Sequence, residues 1–148
     1  MVDMTTIVLA DDHPLIRHRL RQILETTPDL TILGETGDGT EVVDLVERLQ
    51  PDVLVLDIAM PGMNGLEITR QIVARSLRTQ IVICSSHRCA GYVVQAMKNG
   101  ASGYVVKDFS VNDLAQAIRQ VANGKHYFSP SLHDSIDSFY DAGVAGET

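Results

Sequence analysis

Val53-Leu54-Val55-Leu56-Asp57 decides the fold. Four consecutive apolar residues suit a strand covered on both faces, since a half-exposed strand alternates apolar with polar. Strands of that kind belong to parallel sheets sandwiched between helices. Upstream, Thr6-Ile7-Val8-Leu9-Ala10 shows the same pattern and also runs into carboxylates, Asp11-Asp12. Downstream, Ile81 to Cys84 leads into Ser85-Ser86, and Gly103-Tyr104-Val105-Val106 leads into Lys107. Leu30 to Leu33 completes a set of five strands.

Helical stretches separate them. Pro14 suits a helix start, and Ile16, Leu20, Ile23 and Leu24 follow at helical spacing. Gly37-Asp38-Gly39 turns the chain into a second helix striped by Val42, Leu45, Val46 and Leu49 and stopped by Pro51. A third helix, after the loop Pro61 to Gly65, turns Ile68, Ile72 and Val73 inward. Val93, Val94 and Met97 mark a fourth, closed by Asn99-Gly100. Val111, Leu114, Ala115, Ile118, Val121 and Ala122 stripe a fifth, ending at Asn123-Gly124. Strict alternation with right-handed crossovers predicts a doubly wound α/β fold, a five-stranded parallel sheet with helices on both faces. The flavodoxin-like strand order 2-1-3-4-5 suits five units and opens a crevice at the carboxyl ends of strands one and three.

Composition narrows the function. The 148 residues are 45% hydrophobic and 21% charged, and the net charge is −7. That charge argues against nucleic acid as a direct partner, because phosphate contacts need clustered Lys and Arg. The one basic cluster, Arg17, His18, Arg19 and Arg21, reads as a solvated helix face. No apolar run approaches the ~20 residues of a membrane span, and Met1 to Met4 do not open a secretion signal. A cytoplasmic location is expected. Cys84 and Cys89 lack the further ligands of a zinc site and read as partly buried thiols.

On this scaffold Asp11, Asp12, Asp57, Ser85 and Lys107 converge on one edge of the sheet. Three carboxylates in one cleft repel one another unless a cation joins them, which implies a hard divalent ion such as Mg²⁺.

Ala10-Asp11-Asp12-His13-Pro14, Leu56-Asp57-Ile58-Ala59-Met60-Pro61-Gly62-Met63-Asn64-Gly65, Cys84-Ser85-Ser86 and Gly103-Tyr104-Val105-Val106-Lys107 together resemble the receiver domains of two-component response regulators, the CheY-like fold. The resemblance covers Thr5 to Gly124. Lys107-Asp108, with Gly124-Lys125-His126-Tyr127-Phe128-Ser129-Pro130, is similar to the NarL/LuxR-type branch, in which a DNA-binding domain normally follows. The resemblance implies a phosphoacceptor domain rather than a conventional enzyme, one that assists its own phosphorylation and dephosphorylation. Asp57 would take a phosphoryl group from a sensor histidine kinase. Asp12, Asp57 and the Ala59 carbonyl would hold Mg²⁺, with Asp11 acting through water. Lys107 and Ser85 would meet the phosphoryl oxygens, and Tyr104 would rotate inward as the switch. Homodimerisation on phosphorylation is also implied. In this sequence Asp108 replaces the family's frequent proline, so a trans Lys107–Asp108 peptide is expected.

Other readings of the same sheet fit less well. A flavin mononucleotide site needs a phosphate loop where Asp11-Asp12 stand. A haloacid-dehalogenase-type phosphatase needs an acid at Ala59, and a serine hydrolase needs G-x-S-x-G. Residues 1–124 form the expected receiver. In residues 125–148, Ser129-Pro130 opens a short helix with Leu132, Ile136 and Phe139 placed to dock. Asp141 to Gly146 then reads as a linker toward an output domain. The alternative is a single-domain receiver that acts by protein contact or phosphate shuttling.

Overall fold

The computed structural model describes residues 4–75, 78–107 and 113–132, together with the backbone alone of 111 and 112. Asp108, Ile136, Phe139, the 141–146 stretch and the Val111 side chain, each read above, lie outside these limits.

Five strand–helix units alternate: β1 (Thr5–Ala10), α1 (Pro14–Glu25), β2 (Leu30–Thr36), α2 (Gly39–Leu49), β3 (Val53–Leu56), α3 (Gly65–Ala74), β4 (Gln80–Ser85), α4 (Ala90–Lys98), β5 (Gly103–Val106) and α5 (Val111–Ala122). The strands are parallel, in the order β2-β1-β3-β4-β5. The all-apolar strand is explained by its two faces. Leu54 and Leu56 join the core formed by Val42, Val46, Ile68, Ile72, Val93 and Ala96 of α2, α3 and α4. Val53 and Val55 join the opposite core with Leu20 and Leu24 of α1 and Leu114, Ile118 and Val121 of α5. Neither face of β3 meets water, so no position tolerates a polar side chain.

Several details depart from the sequence reading. Val73 is half exposed at the end of α3, where it packs over Gly100 rather than into the core. Ala122 is exposed, so the α5 stripe ends at Val121. β2 runs three residues past Leu33, through Gly34-Glu35-Thr36, and its register on β1 shifts between Ile7 and Val8. The principal addition is a sixth strand, β6 (Tyr127–Phe128), parallel to β5 at the sheet edge. The Tyr127 amide donates to Ser102 O and the Ser129 amide to Tyr104 O. A 3-10 turn, Pro130–Leu132, then buries Leu132 among the core residues of the α2, α3 and α4 face.

Helix ends follow local chemistry. The Asp38 side chain accepts from the Thr40 amide and Asn64 from the Glu67 amide, each satisfying a free donor at a helix start. Gln50 closes α2 in a left-handed conformation, φ 47°, ahead of Pro51.

Candidate functional site

Parallel strands deliver their C-terminal residues to one edge. Asp11 and Asp12 follow β1, Asp57 follows β3, Ser85 ends β4, and Lys107 follows β5. Asp57 is fixed to its neighbour strand by its own amide, which donates to Ala10 O at 2.9 Å. The Lys107 amide donates to Ser85 O at 2.9 Å.

Lys107 Nζ lies 3.0 Å from Asp57 Oδ2 and 2.9 Å from Asp11 Oδ2. Asp11 and Asp57 are both buried, and the Lys107 side chain is only 12% exposed. Burial pushes the Asp57 carboxyl above its ordinary range, with Lys107 opposing and Asp11 reinforcing that shift. Burial alone would lower Lys107, but the two carboxylates outweigh it and hold the ammonium above its usual value. The Ala59 amide donates to Asp57 Oδ1 at 3.3 Å.

Oxygen atoms of Asp11, Asp12 and Asp57 and a ring nitrogen of His13 lie within 4.8 Å of one another. Two of the carboxylate oxygens, Asp11 Oδ2 and Asp12 Oδ1, are buried and accept no hydrogen bond. Lys107 Nζ stands 2.9 Å from the first as an ion pair, and His13 Nδ1 lies 3.1 Å from the second. Lys107 already offers a cation to Asp11 Oδ2, so the buried oxygen that most favours a bound ion is Asp12 Oδ1. Three carboxylates, with a single exposed imidazole beside them, fit Mg²⁺ better than a soft metal. Ala59, whose carbonyl was also expected there, sits exposed in the loop after Asp57.

Ser85 and Tyr104 lie beside this cluster. Ser85 is fully buried, and its Oγ accepts from the His87 amide at 3.1 Å. Tyr104 is also fully buried, and its hydroxyl donates to His87 O at 2.8 Å. Burial pushes this phenol up to about 12, with the Ser85 hydroxyl opposing. The ring already occupies the inward position that the sequence reading reserved for the switched state. The His87 ring packs against Tyr92 with centroids 4.8 Å apart.

The chain matches the family described as "Response regulator receiver domain" over residues 7–119. The chain belongs to that family.

The receiver is 42% identical to the nitrate/nitrite response regulator protein NarL of Escherichia coli K12, over 86% of this chain and 59% of NarL. It is 36% identical to the transcriptional regulatory protein DegU of Brevibacillus brevis, over 90% of this chain and 57% of DegU. It thus spans about three fifths of the length of these relatives. Among solved structures, a LuxR-family two-component response regulator from Aurantimonas sp. SI85-9A1 superposes with a TM-score of 0.88 at 32% identity, covering 92% of this chain and 97% of that one. The receiver domain of NarL from Mycobacterium tuberculosis gives 0.81 at 31% identity, covering 83% and 99%. Among the described residues, no helix is long and apolar enough to cross a membrane.

Two features escaped the sequence reading. Arg17 is not part of a solvated face: its Nη1 donates to Asp11 O at 2.6 Å and its Nε to Glu35 at 3.3 Å. His13 stands at ligand distance from the carboxylates. Arg17 reaches a backbone carbonyl six residues back, which no side-chain pattern signals, and His13 stands next to Asp11 and Asp12 in sequence but is brought to Asp57 only by the fold. The two thiols also differ, Cys84 being buried and Cys89 exposed.

Proposed function

We propose that this receiver accepts a phosphoryl group on Asp57 from a sensor histidine kinase in the cytoplasm and thereby controls a DNA-binding transcriptional output. The observation that carries the reading is Lys107 bridging Asp57 and Asp11 beside a third carboxylate, Asp12. Asp57 supplies the nucleophilic oxygen: its carboxylate attacks phosphorus, the P–N bond to the kinase's phosphohistidine breaks and frees the imidazole, and an acyl phosphate forms. Lys107 holds one Asp57 oxygen and stands ready to neutralise charge on the transferred group. Asp12, Asp57 and the Ala59 carbonyl would hold Mg²⁺, with Asp11 engaged through water. When bound, the ion would offset the charge of the phosphoryl oxygens. Ser85 offers the incoming group a buried hydroxyl, and Tyr104 reports on Ser85 through the His87 backbone that both contact.

The output reading rests on the relatives, among them the transcriptional regulatory proteins DegU and DesR, both longer than this chain. Residues 1–124 act as the receiver, and 125–148 lead toward the output domain, beginning with the stretch that packs on β5. At net charge −7 the chain itself leaves DNA to that domain, and phosphorylation acts by pairing two receivers.

Incubation with acetyl phosphate tests the core claim. Intact mass should rise by one phosphate in Mg²⁺, stay unchanged in chelator, and stay unchanged for Asp57→Asn. Labelling that survives Asp57→Asn removes the site assignment.

A further inference from the structure

We infer that Arg17 is a positioning residue for the cation pocket, acting through the Asp11–Asp12 peptide. The inference rests on reading the pocket as a Mg²⁺-dependent phosphoacceptor site. β1 loses its partner at this point. The Asp11 amide makes the last backbone bond to β2, to Thr36 O at 3.1 Å, and β2 ends there. The Asp11 carbonyl, next along the chain, has no strand to pair with because Gly37 turns away into α2. Arg17, one turn into α1, fills the gap with Nη1 at 2.6 Å.

A peptide unit is planar, so holding the Asp11 carbonyl also fixes the direction in which the Asp12 Cα leaves it. Asp12 needs that support, because its Oδ1 is buried and accepts no hydrogen bond. The guanidinium reaches the carbonyl over Gly37, where a Cβ would stand 2.7 Å from Nη1 and 3.6 Å from the Asp12 Cα. The forked head allows one group to serve two acceptors, Asp11 O through Nη1 and Glu35 through Nε, which an ammonium cannot do from one position. Glu35 also takes Arg21, so the positive charge beside the cation pocket is opposed. A solvated surface pair would leave Nη1 in water; here it is turned onto the backbone of the carboxylate pair.

Mg²⁺ titration of the full chain, read by calorimetry or amide NMR, tests this, with melting in chelator as the control for fold. Arg17→Met should raise the Mg²⁺ dissociation constant by about tenfold or more, the range for residues that orient ligands from behind. Arg21→Met breaks the neighbouring Glu35 pair without touching Asp11, and should change it by less than about twofold. Gly37→Ala keeps every charged group and pushes the guanidinium off the carbonyl. It should weaken Mg²⁺ like Arg17→Met, and it decides the matter if Arg17→Met fails to fold. Wild-type binding with Arg17→Met or Gly37→Ala unchanged overturns the inference alone, as does an equal loss in Arg21→Met. A wild-type chain that bound no Mg²⁺ would overturn the phosphoacceptor reading, and this inference with it.

Discussion

Lys107 Nζ sits 3.0 Å from Asp57 Oδ2, a buried ion pair that joins the residues following β3 and β5 across the end of β4. It also touches Asp11 at 2.9 Å, so one ammonium serves two buried carboxylates. Removing it leaves like charges facing one another in a poorly solvated site. Lys107→Met should therefore destabilise the fold by ~3 kcal/mol at pH 8, the scale for breaking a buried pair. Added Mg²⁺ should restore part of this loss in thermal melts. An unchanged midpoint in chelator would show that the pair is not worth its geometry.

The pH dependence has a defined sign. Burial raises the folded pKa of Asp57 above its unfolded value. Such a carboxyl costs stability when ionised, and the cost is recovered as pH falls through the folded pKa. Without Lys107 the shift grows, so the deficit of Lys107→Met should shrink between pH 8 and pH 5. Asp57→Asn removes the buried charge altogether and should melt no lower than wild type at pH 8. A clearly lower midpoint would mean that the Lys107 contact outweighs desolvation.

Thiol chemistry separates two residues that the sequence reading treated alike. Burial pushes Cys84 up to about 12, whereas Cys89 stands exposed ahead of α4. Only a thiolate reacts quickly with disulfide reagents. The native chain should release one equivalent of thionitrobenzoate at pH 8, and two in denaturant. Loss of the fast equivalent in Cys89→Ser completes the assignment; fast labelling of Cys84 would mean that β4 opens readily.

The carboxylate cluster was legible in sequence because a parallel sheet sends every strand's C-terminal residue to one edge. Asp12, Asp57 and Lys107 needed only their strands assigned. Val53 to Leu56 was equally plain, since two covered faces allow no polar position. Tyr127-Phe128 was not legible: two residues have no period, and what makes them a strand is the free edge of β5. Glu35 and Thr36 likewise look like loop residues, yet an edge strand tolerates polar side chains, and pairing with Leu9 and Ala10 keeps them in β2. Arg17 looked like surface because its partner, the Asp11 carbonyl, is a backbone atom that no side-chain pattern announces.

Ser129 ties the post-α5 segment to the strand that leads into Lys107. Its Oγ accepts from the Val106 amide at 2.9 Å, and the residue is buried. Ser129→Ala strands a buried amide and should cost ~1–3 kcal/mol. Hydrogen exchange should show the Val106 amide losing protection, while β1 and β3 keep theirs. Equal loss across all strands would indicate global destabilisation rather than a local tie.

Gly65 sets where Asp57 stands. It opens α3, and its amide donates to Ile58 O at 2.8 Å, drawing the helix start onto the loop behind the phosphoacceptor. A Cβ on Gly65 would lie 2.5 Å from Asp57 O and 2.8 Å from the Ile58 Cα. Both are backbone atoms, which cannot swing aside as a side-chain tip can. Gly65→Ala must therefore shift either the helix or the Asp57 segment, at ~1–3 kcal/mol for overpacking. The Asn64 cap on the Glu67 amide resists movement of the helix, so the loop is the part expected to give. A displaced Asp57 carboxylate would no longer meet Lys107 at 3.0 Å. The variant should stay folded by circular dichroism and yet take phosphate from acetyl phosphate at least about tenfold more slowly, as misplaced reacting groups do. Wild-type phosphorylation in a destabilised Gly65→Ala chain would show that the helix moved instead and left Asp57 in place.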